Sequence, residues 1–167
     1  MSIINSPSDW IMINETDYPS LGIINDNDLK CLSAYAVNNE GLLSLVCFYD
    51  FSDYGIEYLN DLDKSLVDIN KTNELIDGEE SSNSHEETYA MKNIFHGYSN
   101  DYNKVVYINI NKVFVQEDQY GYTIQTFVEQ KKGLLCAQCS VHKLDESDPL
   151  KSAFEIKFIK DAISCIL

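Results

Sequence analysis

Apolar and polar residues alternate over several short stretches of the chain, which is the pattern of half-buried β-strands. The alternation is clearest in residues 122–130, where Tyr, Ile, Thr and Val occupy the even-numbered positions. Two apolar runs, residues 29–37 and 42–51, flank the sequence Asn-Asn-Glu-Gly at residues 38–41. Because asparagine and glycine favour tight turns, the two runs and the turn between them predict a β-hairpin.

Two segments show apolar residues at the three- and four-residue steps of an amphipathic helix. The first ends at Gly78, and its apolar positions are Ile56, Leu59, Leu62, Leu66 and Ile69. The second begins with Asp148, which suits a helix N-cap, and Pro149, which suits the first helical position. Apolar residues then follow at four-residue steps over residues 150–166, so a single amphipathic C-terminal helix is expected.

Further strand-like runs occupy residues 9–14, 89–98, 104–116 and 134–142. A turn is expected at residues 117–121, and sequential strands joined by short turns pair in antiparallel fashion. The chain therefore predicts a single α+β domain over residues 1–167, with a mostly antiparallel sheet of about six to seven strands and two helices packed on one of its faces. An acidic, exposed and mobile loop is expected near residues 77–88.

The charge of the chain limits the partners it can have. Its 167 residues include 27 Asp and Glu against 12 basic residues, all of them Lys, for a formal net charge of −15. Such a chain repels the phosphate groups of nucleic acids and anionic lipids, and it lacks the arginine that reads phosphates and guanine edges. We therefore expect neither a nucleic acid nor a membrane as a partner. Residues 50–87 contain 12 acidic residues and two lysines, so the negative charge is concentrated in the first helix and the loop after it.

The segment from Cys136 to Cys139, followed by His142, matches the C-x-x-C spacing of zinc and redox sites. A zinc site needs a second pair of ligands, and redox dithiols normally lie at a helix N-terminus. Here the motif falls in a predicted strand, where a spacing of three places the two thiols on opposite faces. We expect no metal, no cofactor and no catalytic residue. An enzyme that uses His96 or His142 stays open as a further hypothesis, because catalytic partners meet in space and not in sequence.

The first residues lack the basic and apolar regions of a secretion signal, and no apolar run approaches the length of a membrane span. The five cysteines are an odd number and lie in apolar segments, which is typical of free thiols in a reducing compartment. We expect a cytoplasmic protein that is a monomer or a weak dimer.

Several tyrosines lie among the acidic residues at the start of the first helix. Tyrosine offers rigid contact area with a polar tip, which is common at protein interfaces. Carboxylates beside it would steer a basic protein partner, although the same charges also suit a plain solvated surface. The residues expected to contact a partner are Asp50, Asp53, Tyr54, Glu57, Tyr58, Asp61 and Asp63.

The order of the elements resembles the PsbP-like fold, which also occurs in Eag-type chaperones of type VI secretion. The resemblance is carried by the opening sequence Ser-Pro-Ser-Asp-Trp at residues 6–10, by the strand at 42–51 that leads into a helix, and by the strand at 134–142 that leads into the helix at 150–166. It implies a sheet covered by helices, and it transfers no functional residue to this chain.

In its size, acidity, tyrosine content and lack of a catalytic motif, the chain is similar to bacterial immunity proteins. Those proteins bind and neutralise a cognate toxin, often a nuclease, delivered by contact-dependent inhibition or type VI secretion systems. The resemblance implies an acidic inhibitor that blocks the basic substrate site of a nuclease toxin. The alternative is a secretion chaperone or adaptor for a type VI effector, which would offer an apolar groove to a hydrophobic helix.

Overall fold

A computed structural model describes residues 4–79, 91–116 and 119–167 of the chain. The strands in these ranges are β1 (Ile11–Met12), β2 (Lys30–Asn39), β3 (Leu42–Phe51), β4 (Met91–Ser99), β5 (Val106–Gln116), β6 (Gln119–Glu129) and β7 (Leu134–Val141). The α-helices are α1 (Ile56–Glu79), α2 (Pro149–Phe154) and α3 (Lys157–Ile166). Two short 3₁₀ turns, Glu15–Asp17 and Pro19–Leu21, lie between β1 and β2.

The described strands form one seven-stranded sheet in the order β1-β2-β3-β7-β6-β5-β4, and every neighbouring pair is antiparallel. This confirms the predicted α+β class and the antiparallel sheet. The predicted hairpin is β2–β3, whose two turn residues, Glu40 and Gly41, both have positive φ angles of 54° and 84°. Positive φ at both turn positions matches the right-handed twist of the paired strands, so the turn fixes the hairpin register.

The helices cover opposite faces of the sheet, so the expectation that both pack on one face is wrong. On one face, α3 packs through Phe158 and Ile159 against residues that include Ile108 of β5. On the other, Leu59 of α1 packs with Tyr107, the residue next to Ile108. Neighbouring strand residues point to opposite faces. Because the central strands are apolar at both sets of alternate positions, each face needs its own cover.

The C-terminal helix is divided in two where a single helix was expected. Asp148 caps α2 by accepting a hydrogen bond from the backbone N–H of Lys151, and Pro149 is the first helical residue, as predicted. The helix then breaks at Ile156, which is extended with φ −85° and ψ 118°. A four-residue step drifts about 40° around a straight helix, so an unbroken helix would turn its apolar stripe away from the sheet. The break restores the contact, and Phe158, Ile159, Ala162, Ile163 and Ile166 are buried.

Two predicted boundaries shift. Residues 77–79 of the predicted acidic loop belong to α1, and residues 80–88 lie outside the described residues. Residues 119–121 of the predicted turn already belong to β6, while residues 117–118 lie outside the described residues. Within the described ranges, no helix combines the length and the apolar character that crossing a membrane requires.

Candidate functional site

Helix α1 lies over the β4 side of its sheet face, and this position decides which of its residues face solvent. Near its start, the ring of Tyr58 packs against Phe127 of β6, with ring centroids 6.1 Å apart. About three turns later, the Asn70 side chain donates a hydrogen bond of 2.9 Å to Asn93 of the edge strand β4. The side of the helix that carries Tyr58 therefore faces the centre of the sheet, and the side that carries Asn70 faces its edge.

The outer side of α1 carries a line of carboxylates. Glu57, Asp61 and Asp68 are exposed and lie opposite the buried Leu59 and Leu66 on the helix. Asp53, also exposed, precedes the helix by three residues. We call Asp53, Glu57, Asp61 and Asp68 the acidic face. None of these four carboxylates forms an ion pair with a lysine in the part of the chain that the structure describes.

An aromatic cluster borders the acidic face at the first turn of α1. The ring of Tyr54 lies 4.8 Å from that of Tyr58 and 5.8 Å from that of Phe51, measured between centroids. Phe51 in turn packs edge-on against Phe127 at 5.1 Å. Burial raises the pKa of Tyr58, whereas Tyr54 is 45% exposed. The cluster therefore holds one tyrosine ring firmly at the surface, beside Asp53 and Glu57.

Asp63 points away from the acidic face and joins α1 to the sheet. Its Oδ1 atom accepts hydrogen bonds from His96 Nδ1 at 2.6 Å and from the Tyr107 hydroxyl at 2.8 Å. These bonds, that from His96 foremost, lower the pKa of the Asp63 carboxyl. Since an ionised carboxylate only accepts, Nδ1 of His96 carries the proton in this arrangement. Asp63 therefore fixes the position of α1 above β4 and β5.

The structure separates the seven predicted contact residues into two groups. Asp53, Tyr54, Glu57 and Asp61 share the exposed side of α1 and the segment before it, and Tyr58 supports them from below. Asp50 and Asp63 instead accept hydrogen bonds from within the fold, and the bonds from Ser52 lower the pKa of the Asp50 carboxyl. Asp68 was not among the predicted contact residues, although its spacing of seven from Asp61 places it on the same side of the helix.

Asp63→Ala should destabilise the protein by about 2 kcal/mol more than Asp61→Ala, because two buried or half-buried donors lose their acceptor. Asp61 lies half a turn away and is exposed, so its replacement is a matched control for helix propensity and charge. The folded-state pKa of Asp63 lies below its usual value of 3.8. Its contribution is therefore present above that value and is lost as the pH falls through the folded-state pKa. Urea unfolding of both variants at pH 7 and below pH 4 would measure this contribution. A difference in unfolding free energy between the two variants that stays the same at acid pH would contradict the prediction.

A row of hydrogen-bonded amide side chains, also missed from the sequence, crosses the sheet beneath and beside α1. Asn93 donates to Asn109 at 2.6 Å, Asn109 donates to Gln125 at 3.0 Å, and Gln125 donates to Gln138 at 3.0 Å. These four residues stand on neighbouring strands from β4 to β7. Asn109 pairs with Gln125 and Gln125 pairs with Gln138 across neighbouring strands, while Asn93 is two residues out of register with Asn109. At this spacing one amide side chain can reach the next. The row makes the middle of this face polar but uncharged.

The C-x-x-C segment has the arrangement predicted for it. Cys136 packs in the core beneath α1 and Cys139 in the core beneath α3, so the two thiols lie on opposite faces of β7. Burial raises the pKa of both thiols, that of Cys139 to about 12. His142 is exposed, with its Nε2 atom 3.1 Å from the backbone oxygen of Leu43. Among the described residues, no group of three or more His, Cys, Asp or Glu side chains is placed to hold a metal ion.

Comparison with known proteins adds no relative. No protein-family model matches the chain, and no curated protein sequence matches it significantly. The function must therefore be argued from the acidic face, the aromatic cluster and the surfaces beside them.

Proposed function

We propose that this protein is an immunity protein that binds and neutralises a cognate antibacterial toxin, a basic nuclease, through the acidic face of α1. The observation that carries the proposal is the line of carboxylates without lysine partners, set beside the exposed ring of Tyr54. A nuclease needs a basic surface to hold the phosphates of its substrate. An inhibitor that presents several carboxylates occupies that surface and excludes the nucleic acid.

Charge and aromatic contact have different roles in such a complex. Carboxylates exposed to solvent gain little in the final contact, but they steer a basic partner and raise the association rate. Tyr54 and Tyr58 supply the contact that slows dissociation, because large rings at the centre of an interface carry most binding energy. Tyr58 is already held by Phe51 and Phe127, so little conformational freedom is lost on binding.

The test is to express the product of the gene immediately upstream alone and together with this protein. We expect the upstream product to be toxic alone, to lose its toxicity on co-expression, and to co-purify with this protein at moderate salt. A co-expressed copy of this gene with an early stop codon is the control for protection by the protein itself. An upstream product that is not toxic, or that does not bind this protein, would refute the proposal.

A second candidate, a secretion chaperone or adaptor for a type VI effector, is favoured by apolar residues left exposed on the sheet. Ile11 and Leu43, on β1 and β3, are 66% and 68% exposed. The two candidates differ in how binding responds to salt. An acidic docking face loses association rate as salt rises, whereas an apolar groove that takes a hydrophobic helix does not. A stable dimer in solution would also favour the chaperone.

A further inference from the structure

Helix α1 lies over the β4 side of the sheet and leaves part of this face uncovered. The segment with the two 3₁₀ turns packs over β2 and β3 through the buried Tyr18 and Ile23. Helix α1 lies toward the opposite edge of the sheet, where Asn70 donates a hydrogen bond to Asn93 of β4. Between these two covers, one end of β3 and β7 is only partly covered, whereas Cys47, Tyr49 and Cys136 on the same face are buried. We call this area the open groove; Leu45, Gln138 and Ser140 form its floor, and Leu21 lies at one side. Leu43 lies on the same face of β3 as Leu45, and we place Ile69 of α1 at the other side.

The register of the strands places the floor residues side by side. Cys47 of β3 pairs with Gln138 of β7, and the backbone N–H of Leu45 donates to the Ser140 hydroxyl at 2.9 Å. A cavity of about 170 Å³ opens here, between Leu21 and Ile23 on one side and Gln138 on the other. The groove therefore has a pocket large enough for a side chain of the size of leucine.

Ile69 lies on the side of α1 that faces this groove, contrary to its predicted place in the core. It follows Tyr58 by eleven residues, which is about three helical turns, so both lie on the same side of the helix. Tyr58 packs toward β3 and β6, whereas Asn60 reaches the other way to Tyr98 of β4. Ile69 therefore lies on the side of α1 that faces the centre of the sheet, and it is 50% exposed.

The floor of the groove is uncharged and has unused hydrogen-bond donors. The amide oxygen of Gln138 accepts from Gln125, but its amide nitrogen has no acceptor among the described residues. The Ser140 hydroxyl accepts from Leu45, and it donates to no atom of those residues either. Both side chains are half-buried, so a bound chain could satisfy the two donors with its backbone carbonyls.

Negative charge lies on both sides of the groove. Asp61 and Asp68 are exposed on α1, and the segment that packs over β2 and β3 carries the exposed Glu15, Asp17, Asp26 and Asp28. Residues 15–29 contain no lysine. A second copy of this chain, at a net charge of −15, is repelled from such a surface, whereas a basic chain is attracted to it.

We infer that the open groove holds an apolar-faced, lysine- or arginine-bearing segment of the same basic toxin, with an apolar side chain in the pocket beside Leu21. The inference rests on the proposed function and adds a second contact to it. The acidic face sets the association rate of the toxin, and the groove sets its dissociation rate. Because apolar burial is not screened by salt, the contribution of the groove should persist as the salt concentration rises.

The test compares two double variants in binding to the product of the upstream gene. Leu21→Ser with Leu43→Ser removes apolar groups from the groove. Leu42→Ser with Met12→Ser removes exposed apolar groups from the same region of the sheet, but on its opposite face. The groove variant should bind about tenfold more weakly, through faster dissociation, both at low salt and near 0.5 M salt. The control variant should bind within about twofold of the unchanged protein.

Three outcomes overturn the inference. If the groove variant binds like the unchanged protein while acidic-face variants lose association rate, the groove inference fails and the proposed function stands. If the groove variant instead loses only self-association in analytical ultracentrifugation, the occupant is a second copy. If the upstream product binds none of these proteins, the proposed function fails and the groove inference falls with it.

Discussion

Replacing Glu57 and Asp61 by lysine should lower the association rate with the toxin about 100-fold at low ionic strength. Both carboxylates are exposed on the acidic face, and neither has a lysine partner among the described residues. Each lysine puts a repelling charge where the partner is expected to be basic. Stopped-flow measurements of the association rate, at salt from about 0.05 to 0.5 M, would measure the effect, which should shrink as salt screens the charges.

The matched control is Asp9→Lys with Glu155→Lys. Both residues are exposed, and they lie near Trp10 and α3, on the side of the sheet opposite α1. The two double variants change the net charge of −15 by the same amount, so a difference between them reports where the charge lies. The control should keep the association rate within about threefold. Equal losses in both variants would show that the whole-chain charge steers the partner and that the acidic face has no special part.

Glu57 also lies in the first turn of α1, where a negative charge suits the helix dipole. Its replacement by lysine therefore costs about 0.5 kcal/mol of folding free energy. That cost is too small to unfold the protein, and thermal unfolding would confirm it. A loss of association rate in a variant that remains folded is then a property of the interface.

The strands and their antiparallel pairing could be predicted because period-two alternation and turn residues are local signals. The faces that the helices cover could not, because residues such as Phe127 and Val128 are adjacent and both apolar. Each set of alternate positions suits a core, so the sequence does not say which face a helix covers. Contacts as distant in sequence as Asn70 with Asn93 decide that α1 covers the face of Phe127.

The inward position of Asp63 had a signal in the sequence that went unused. Asp63 follows Leu59 by four residues and precedes Leu66 by three, which places it on the buried side of the helix. Asp61 is two residues away and points to solvent. Charge counting treats the two carboxylates alike, whereas helical spacing separates them. The partners of Asp63, His96 and Tyr107, still needed the fold, since no local pattern joins them.

Gly133→Ala should destabilise the protein by at least about 3 kcal/mol. Gly133 has a φ of +75°, and a Cβ atom there would lie 2.1 Å from the backbone oxygen of Ser52. The contact joins the β6–β7 turn to the chain just before α1, so both backbones must move to relieve it. Urea unfolding monitored by circular dichroism would measure the loss.

Gly41→Ala is the matched control for Gly133→Ala. Gly41 also has a positive φ, of +84°, but a Cβ atom there meets nothing within 4 Å. Its replacement therefore costs only the left-handed backbone strain, about 1 kcal/mol. The excess loss in Gly133→Ala measures the contact with Ser52.

Because Ser52 stands between β3 and α1, relief of that contact also moves Asp53 and Tyr54, so any folded fraction of Gly133→Ala should bind the toxin more weakly. Equal stability losses in Gly133→Ala and Gly41→Ala would show that the β6–β7 turn can move away from Ser52 at little cost in free energy. The contact would then not hold the start of α1 in place.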